Sequence, residues 1–244
     1  MAQAKIRVGL VGPGRIAGMV HLPSLKLCPE RCDVVAVASR TEEKARVFAA
    51  QWGIPRVYTD WRALVADPDI DAVVLCPPSG LTANMAKAAV AAGKHVLCEK
   101  PLGLTYADAR EVDAAAAASS RIHMVAFTFR YVPALRYLKR LVTEGHFGEI
   151  RHWRMSYFTD FMLDPAAPVV WRNQRAQAGS GILADMGSHG IDFARYLLGD
   201  IVAVSGASRL YVRQRPRVAG GALVPVDADD ACAFAVEFAG GAIG

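Results

Sequence analysis

Ile6-Arg7-Val8-Gly9-Leu10-Val11-Gly12-Pro13-Gly14-Arg15-Ile16-Ala17 changes character halfway along. A β-type run ends at Val11, two glycines flank Pro13, and a helix-compatible segment begins at Arg15 and lasts to Leu27. A second apolar run, Val34 to Ala38, follows, so the opening of the chain reads as one βαβ unit. In that setting Gly12 and Gly14 have a chemical use. Glycines let the backbone approach a pyrophosphate, and a helix beginning at Arg15 and Ile16 offers N–H donors and the positive end of its dipole. The alternative is a plain βα turn that needs glycine only for its dihedral angles.

The alternation continues with a helix from Glu42 to Trp52, a short strand at Arg56 to Tyr58, a helix from Asp60 to Ala66 and a strand at Ala72 to Leu75. A helix from Leu81 to Ala92 stopped by Gly93, a strand at His95 to Cys98, a helix from Tyr106 to Ala118 and a strand at Ile122 to Phe127 complete the series. This order predicts an α/β fold, a Rossmann-type parallel sheet with helices on both faces, over residues 1–125.

Residues 126–244 have a different texture: a helix from Val132 to Glu144, an alternating run from Ile150 to Phe158, a Pro-containing loop from Asp164 to Pro168 and a helix around Leu183 to Leu198. Two long β-type stretches, Ile201 to Val212 and Cys232 to Phe238, have no helix between them, which predicts an α+β domain with a mainly antiparallel open sheet. The final Gly240-Gly241-Ala242-Ile243-Gly244 reads as a hairpin turn whose returning strand is missing, so the second sheet is expected to be incomplete.

The 244 residues are 53% hydrophobic and 21% charged, a globular composition that excludes disordered and collagen-like chains. Lys and Arg outnumber Asp and Glu by 28 to 23, a formal net charge of +5. The excess is scattered. Its densest part, Arg209 to Arg217, holds four arginines around Pro216 and reads as a solvated strand end or turn, so no nucleic-acid partner is expected. Cys28, Cys32, Cys76, Cys98 and Cys232 are odd in number and follow no framework spacing, which fits a reducing cytoplasm. No second pair or nearby His completes a metal site around Cys28 and Cys32, so no metal is expected. Met1 to Lys5 lack the regions of a signal peptide, and no apolar run reaches the roughly 18 residues of a membrane helix. A cytoplasmic location is expected, with no membrane partner.

Three further places carry candidate chemistry. At the end of the second strand stand Ser39 and Arg40, where NAD sites usually place an acid for the ribose hydroxyls. A hydroxyl and a guanidinium suit a 2′-phosphate, so NADP is preferred with NAD possible; a solvent-facing arginine is the alternative. Glu99, Lys100 and Pro101 follow the strand His95 to Cys98, at the sheet edge where ligands bind, although a lone lysine there also reads as an ordinary loop residue. Asp185 and His189, four apart in a helical segment, share one face and can form an orienter and base pair. With Asp192 three further on, a metal site or a simple surface pair is the alternative. Gly179 and Gly181 before this helix leave room for a bound molecule.

The turn Gly12 to Ala17, the segment Ala92 to Pro101 (Ala-Gly-Lys-His-Val-Leu-Cys-Glu-Lys-Pro), the stretch Phe129, Arg130, Tyr131 and Pro133, and Gly179 to His189 with Asp192 resemble, in order and spacing, the Gfo/Idh/MocA family of oxidoreductases. The resemblance covers essentially the whole chain. It implies a Rossmann domain, an α+β domain whose open sheet commonly mediates homo-oligomerisation, and an active site between them. It further implies hydride transfer between a nicotinamide cofactor and a hydroxyl or keto carbon of a sugar, cyclitol or related polyol. Lys100, Asp185 and His189 match the family's catalytic positions: His189 moves the proton of the carbinol oxygen, Asp185 fixes the imidazole, and Lys100 stabilises negative charge on the reacting oxygen. Cofactor-binding positions implied are Gly12, Gly14, Arg15, Ile16, Ser39, Arg40, Pro77, Pro78, Glu99 and Lys100. On the substrate side stand Arg130, Tyr131, Trp171 and Arg172, besides Asp185 and His189; for Trp171 and Arg172, a core tryptophan beside a surface arginine is the alternative.

Two departures accompany the resemblance. Where many relatives read Thr-Pro-Asn-x-x-His after the fourth strand, this chain reads Pro77-Pro78-Ser79-Gly80-Leu81-Thr82 and loses the His contact. Relatives also usually continue by roughly another hundred residues, so the C-terminal part of the second domain is expected to be missing. Some relatives use the same machinery to hydrolyse glycosides by oxidation, elimination and re-reduction, and similar folds serve as dinucleotide-sensing regulators. Lys100, Asp185 and His189 occurring together argue for catalysis.

Overall fold

The computed structural model describes residues 4–160 and 162–244. Residues 1–3, part of the stretch read above for a signal peptide, lie outside the described residues. The chain divides into two compact units, one ending at Ala126 and the other spanning Phe127–Gly244.

The first unit is built on six parallel strands, β1 (Ile6–Val11), β2 (Cys32–Ala38), β3 (Arg56–Tyr58), β4 (Ala72–Leu75), β5 (His95–Cys98) and β6 (His123–Val125), in the order β3-β2-β1-β4-β5-β6. This is the doubly wound sheet that the alternation predicts. β1 and β4 lie side by side, Val8 opposite Ala72 and Val11 opposite Leu75, and Val8, Leu10, Val11, Val73, Val74 and Leu75 are buried because helices cover both faces. Between the strands run α1 (Leu22–Lys26), α2 (Glu42–Trp52), α3 (Trp61–Ala66), α4 (Ser79–Ala91) and α5 (Tyr106–Ala117). Asp60 caps α3 by accepting the Arg62 N–H, and Thr105 with Asp108 forms a capping box on α5. Strand order reverses between β1 and β4, so the connections leave in opposite directions and open a crevice at the carboxyl ends of these two strands.

The expected single helix from Arg15 to Leu27 contains a wider, π-helical turn at Ala17–His21 before α1. Pro23 has no amide with which to close an α turn onto the carbonyl four residues earlier, and the ladder widens just before it. The wide turn buries Ala17, His21 and Leu22 together.

In the second unit, α6 (Pro133–Thr143), α7 (Arg175–Ala178) and α8 (Ser188–Leu198) accompany β7 (Ile201–Arg209), β8 (Gln214–Pro216), β9 (Leu223–Pro225) and β10 (Ala231–Phe238). β7 and β10 pair antiparallel over their length, as expected, from Ala231 opposite Arg209 to Phe238 opposite Ile201. A small core of Ala194, Val236, Phe238 and Ala242, packed by Trp153 and Leu198, joins α8 to this sheet. The alternating run Ile150 to Phe158 is not a regular strand: it bridges only at His152, to Ile243. Alternation supplies an amphipathic strand but no neighbour, and a ladder needs one. The closing glycines do form a turn, with Gly241 at φ 86°, and Ala242 to Gly244 begin to return along β10 through Phe238 N–H to Ala242 O (2.9 Å) and Val236 N–H to Gly244 O (2.7 Å). Among the described residues no helix is long and apolar enough to cross a membrane.

The arginine-rich stretch corrects the expectation of a solvated turn. Gln214–Pro216 pairs with Leu223–Pro225, and Arg215 is only 1% exposed. Its guanidinium donates to the carbonyls of Asp164 (2.7 Å) and Met162 (2.5 Å), which a charged group can do when its fork is matched by main-chain acceptors. Met162 has φ 68°, a left-handed backbone that a side chain disfavours, so Arg215 holds a strained loop in place. Arg215→Met is expected to cost about 1–3 kcal/mol by removing the buried guanidinium that holds the Met162 and Asp164 carbonyls. The change should appear as a lower urea midpoint together with new proteolytic cleavage near Asp164; an unchanged midpoint would make the clamp dispensable.

Candidate functional site

Gly12 follows β1 at the crevice with φ 88°. A Cβ there would lie 2.6 Å from the Cys76 carbonyl oxygen and 3.1 Å from Pro77 N, so glycine is required by both its dihedral and the chain beyond β4. Gly14 is different. A Cβ on Gly14 would meet nothing nearer than Gly12 O at 3.9 Å. Open space over a glycine at the start of a helix, on the carboxyl edge of a parallel sheet, fits the pyrophosphate of a dinucleotide. Arg15 and Ile16 begin the helical segment, Arg15 Nε lying 3.3 Å from Met19 Sδ, and Pro78 forms the N-cap of α4.

At the end of β2, Ser39 Oγ accepts the Thr41 N–H (3.4 Å), and Arg40 is exposed. A shallow cavity of about 320 Å³ beside them is lined by Pro13, Thr41, Glu43, Lys44, Val47 and Phe48. Lys44 stands in the first turn of α2 together with Glu42 and Glu43, so this end of the helix carries one cation and two carboxylates beside Arg40.

After β5, Glu99 N–H donates to Leu75 O (2.9 Å), fixing the backbone at the sheet edge, and the Lys100–Pro101 bond is cis. Glu99 Oε1 lies 2.7 Å from Nε2 of His21, and its Oε2 accepts the Lys100 N–H at 3.2 Å. His21 is buried and Glu99 nearly so. Burial, with the Glu99 charge second, pushes the Cys98 thiol up to about 12 and raises Cys76 as well, so both stay protonated.

In the second unit the His189 ring stacks on Phe129, centroids 4.5 Å apart at 24°, with Phe127 edge-on at 6.1 Å. Tyr157 stacks on the Phe129 ring at 6.4 Å. Asp185 Oδ2 accepts from Arg172 Nε (3.0 Å), and the Arg172 guanidinium lies over the Trp171 ring at 4.3 Å. Arg172 is therefore neither a plain surface arginine nor remote from Asp185. Arg130 grips Asp192 with two nitrogens, at 2.6 and 2.9 Å, tying the Thr128–Tyr131 turn to α8; these hydrogen bonds, and after them the Asp192 charge, raise the guanidinium pKa above its ordinary range against the effect of burial. Tyr131 is exposed. A cavity of about 1130 Å³ in this unit is lined by Asp185, Arg172, Tyr157, Met155 and Asp229, while His189 is not among its lining residues. No group of three or more His, Cys, Asp or Glu side chains suited to a metal ion occurs among the described residues.

Residues 6–127 match the model of an oxidoreductase family with an NAD-binding Rossmann fold, and residues 135–244 match the model of the GFO/IDH/MocA C-terminal domain. The chain belongs to the GFO/IDH/MocA family. Levoglucosan dehydrogenase of Pseudarthrobacter phenanthrenivorans is 38% identical over 220 residues, covering 85% of this chain and 56% of the relative. Myo-inositol 2-dehydrogenase of Thermotoga maritima is 30% identical over 197 residues, covering 81% and 56%. A solved levoglucosan dehydrogenase in complex with NADH superimposes with a TM-score of 0.94 at 36% identity, over 99% of this chain and 66% of that one. This GFO/IDH/MocA chain thus spans little more than half the length of the curated relatives it matches.

Gly181, before the His189 helix, has a different purpose in this family member from the one expected. A Cβ on Gly181 would lie 1.8 Å from Asp229 O, so Gly181 makes room for the main chain of the Asp229 loop rather than for a ligand. Asp229 then accepts from Ser180 Oγ (2.5 Å), Gly181 N–H (2.7 Å) and Leu183 N–H (2.9 Å). It satisfies the Gly181 amide and the first amide of the π-helical turn Leu183–Gly187 that bears Asp185 and leads into α8. These bonds, though opposed by burial, hold the Asp229 carboxyl below the usual carboxylate range. No local pattern marks Asp229 as a cap, because it lies nearly fifty residues downstream of the amides it serves.

Proposed function

We propose that this chain binds a nicotinamide dinucleotide on its first unit and takes part in oxidising or reducing a secondary alcohol of a small sugar, cyclitol or related polyol. The observation that carries this reading is the open position over Gly14 above a turn that Gly12 locks in place. Relatives named levoglucosan dehydrogenase and myo-inositol 2-dehydrogenase support the substrate class.

When bound, the dinucleotide would supply or accept the hydride. The chain's own residues do the rest. Gly12, Gly14, Arg15 and Ile16 would hold the pyrophosphate at the helix start, with Pro77, Pro78 and Glu99 bordering the site. Lys100, as an ammonium, would donate a hydrogen bond to the substrate oxygen and stabilise the charge that grows there. His189 would take the hydroxyl proton in one direction and return it in the other. Asp185 would orient the imidazole and is itself oriented by Arg172. Arg130, Tyr131 and Trp171 complete the substrate side of the reading.

Ser39 and Arg40 favour the 2′-phosphate of NADP, while the NADH complex of a relative supports NAD as an accepted alternative. A fluorescence titration of the folded chain with NADH and NADPH tests both levels. Binding of either dinucleotide is expected, and Arg40→Ala should lower the NADPH to NADH affinity ratio by about tenfold, the equivalent of one charge-assisted contact. Binding of neither dinucleotide would overturn the function, and an unchanged ratio would remove the preference for NADP.

A further inference from the structure

Glu99 borders the dinucleotide site, while its buried partner His21 touches neither the cofactor nor the substrate in that reading. His21 closes the π-helical turn behind the phosphate turn, is 5% exposed, and meets Glu99 from 78 residues away at 2.7 Å. An ionised carboxylate only accepts hydrogen bonds, so Nε2 carries the proton in this pair. The second carboxylate oxygen receives the Lys100 N–H. Glu99 is therefore a bridge with His21 at one end and the backbone of Lys100 at the other. In a nearly dry setting such a charge-assisted bond is stronger than on the surface, and losing its donor would leave a carboxylate poorly solvated. The main-chain bond from Glu99 to Leu75 fixes the backbone independently, so the side-chain bridge is not needed merely to keep β5 in register.

We infer that His21 is a positioning residue: through the Glu99 carboxylate it ties the helix that begins at the phosphate turn to the Lys100 segment, so that filling the turn and placing the ammonium are coupled. The inference rests on the reading of Lys100 as the group that holds the reacting oxygen. The π-helical turn fits it, because widening the ladder at this point brings His21 onto the buried face along with Ala17.

Hydrogen exchange followed by mass spectrometry on the whole chain tests it. Without ligand, His21→Leu should speed exchange over residues 99–104 by about fivefold while β1, β4 and β5 keep their protection. Glu99→Leu should match it, the double variant should be no faster than either, and His21→Gln, which keeps an N–H donor at similar reach, should restore slow exchange. Added NADH should slow exchange at 12–17 and 99–104 in the wild type, but only at 12–17 in His21→Leu. Equal exchange at 99–104 in wild type and His21→Leu would overturn the tether. So would a loss of protection spread over the whole sheet that His21→Gln fails to reverse, since that is the mark of a core residue alone. If NADH protects nothing in the wild type, the dinucleotide reading and the coupling fail together, while the ligand-free comparison still decides the tether.

Discussion

Gly12→Ala is expected to destabilise the chain by about 2–4 kcal/mol, whereas Gly14→Ala should leave stability within about 0.5 kcal/mol and weaken dinucleotide binding by about 10–100-fold. The two glycines sit two residues apart in one turn, so the contrast separates packing from ligand binding. At Gly12 a methyl group meets both a φ of 88° and a main-chain oxygen 2.6 Å away, and neither can move without disturbing the junction between β1 and β4. At Gly14 the nearest heavy atom is 3.9 Å away, and the empty folded chain has nothing to lose. The cost arises only when a pyrophosphate has to come against the backbone. Urea denaturation with NADH or NADPH titration measures both quantities. Full dinucleotide affinity in a well-folded Gly14→Ala chain would leave the turn a structural corner.

Substituting His189 by Ala is expected to lower kcat/KM by about 10²–10⁴-fold, the range for loss of a positioned acid–base group, with dinucleotide Kd changed by less than about threefold. The structure explains why the imidazole would be well aimed. Phe129 covers one face of the ring at 4.5 Å and Phe127 meets it edge-on, which leaves few alternative orientations in a packed setting. Because removing the ring also opens a gap against Phe129, His189→Gln is the companion variant: it restores much of the volume but cannot carry a proton between two oxygens. Both variants should lose turnover alike while Gln recovers stability. If turnover recovers with stability, His189 packs rather than catalyses. Equal small effects on turnover and on dinucleotide affinity would have the same meaning.

Much of the first unit was legible because its information is local. Glu42–Trp52, Arg56–Tyr58, Ala72–Leu75 and His95–Cys98 have the bounds that periodicity and turn residues assign them. The glycine turn, the strand-end Ser39 and Arg40, and the Glu99-Lys100-Pro101 segment could be located from their place after strands alone. Less was legible in the second unit. The run Ile150 to Phe158 alternates like a strand, yet bridges only at His152. Arg215 looks like a surface charge and lies buried against three carbonyls. Gly181 looks like space for a ligand and is filled by Asp229.

By itself the sequence determined the alternation of strand and helix, and with it the parallel sheet and the crevice beside Gly12 and Gly14, since side-chain period and glycine dihedrals act over a few residues. Only the tertiary structure decided that Gly12 is locked and Gly14 open, that Glu99 joins His21 to Lys100, that Arg172 holds Asp185, and that Asp229 caps the turn before His189. Each of those pairings brings together groups that are distant along the chain or that depend on a neighbour's backbone. Their partners are chosen by which polar groups burial leaves facing one another, and no local pattern in the sequence encodes that choice.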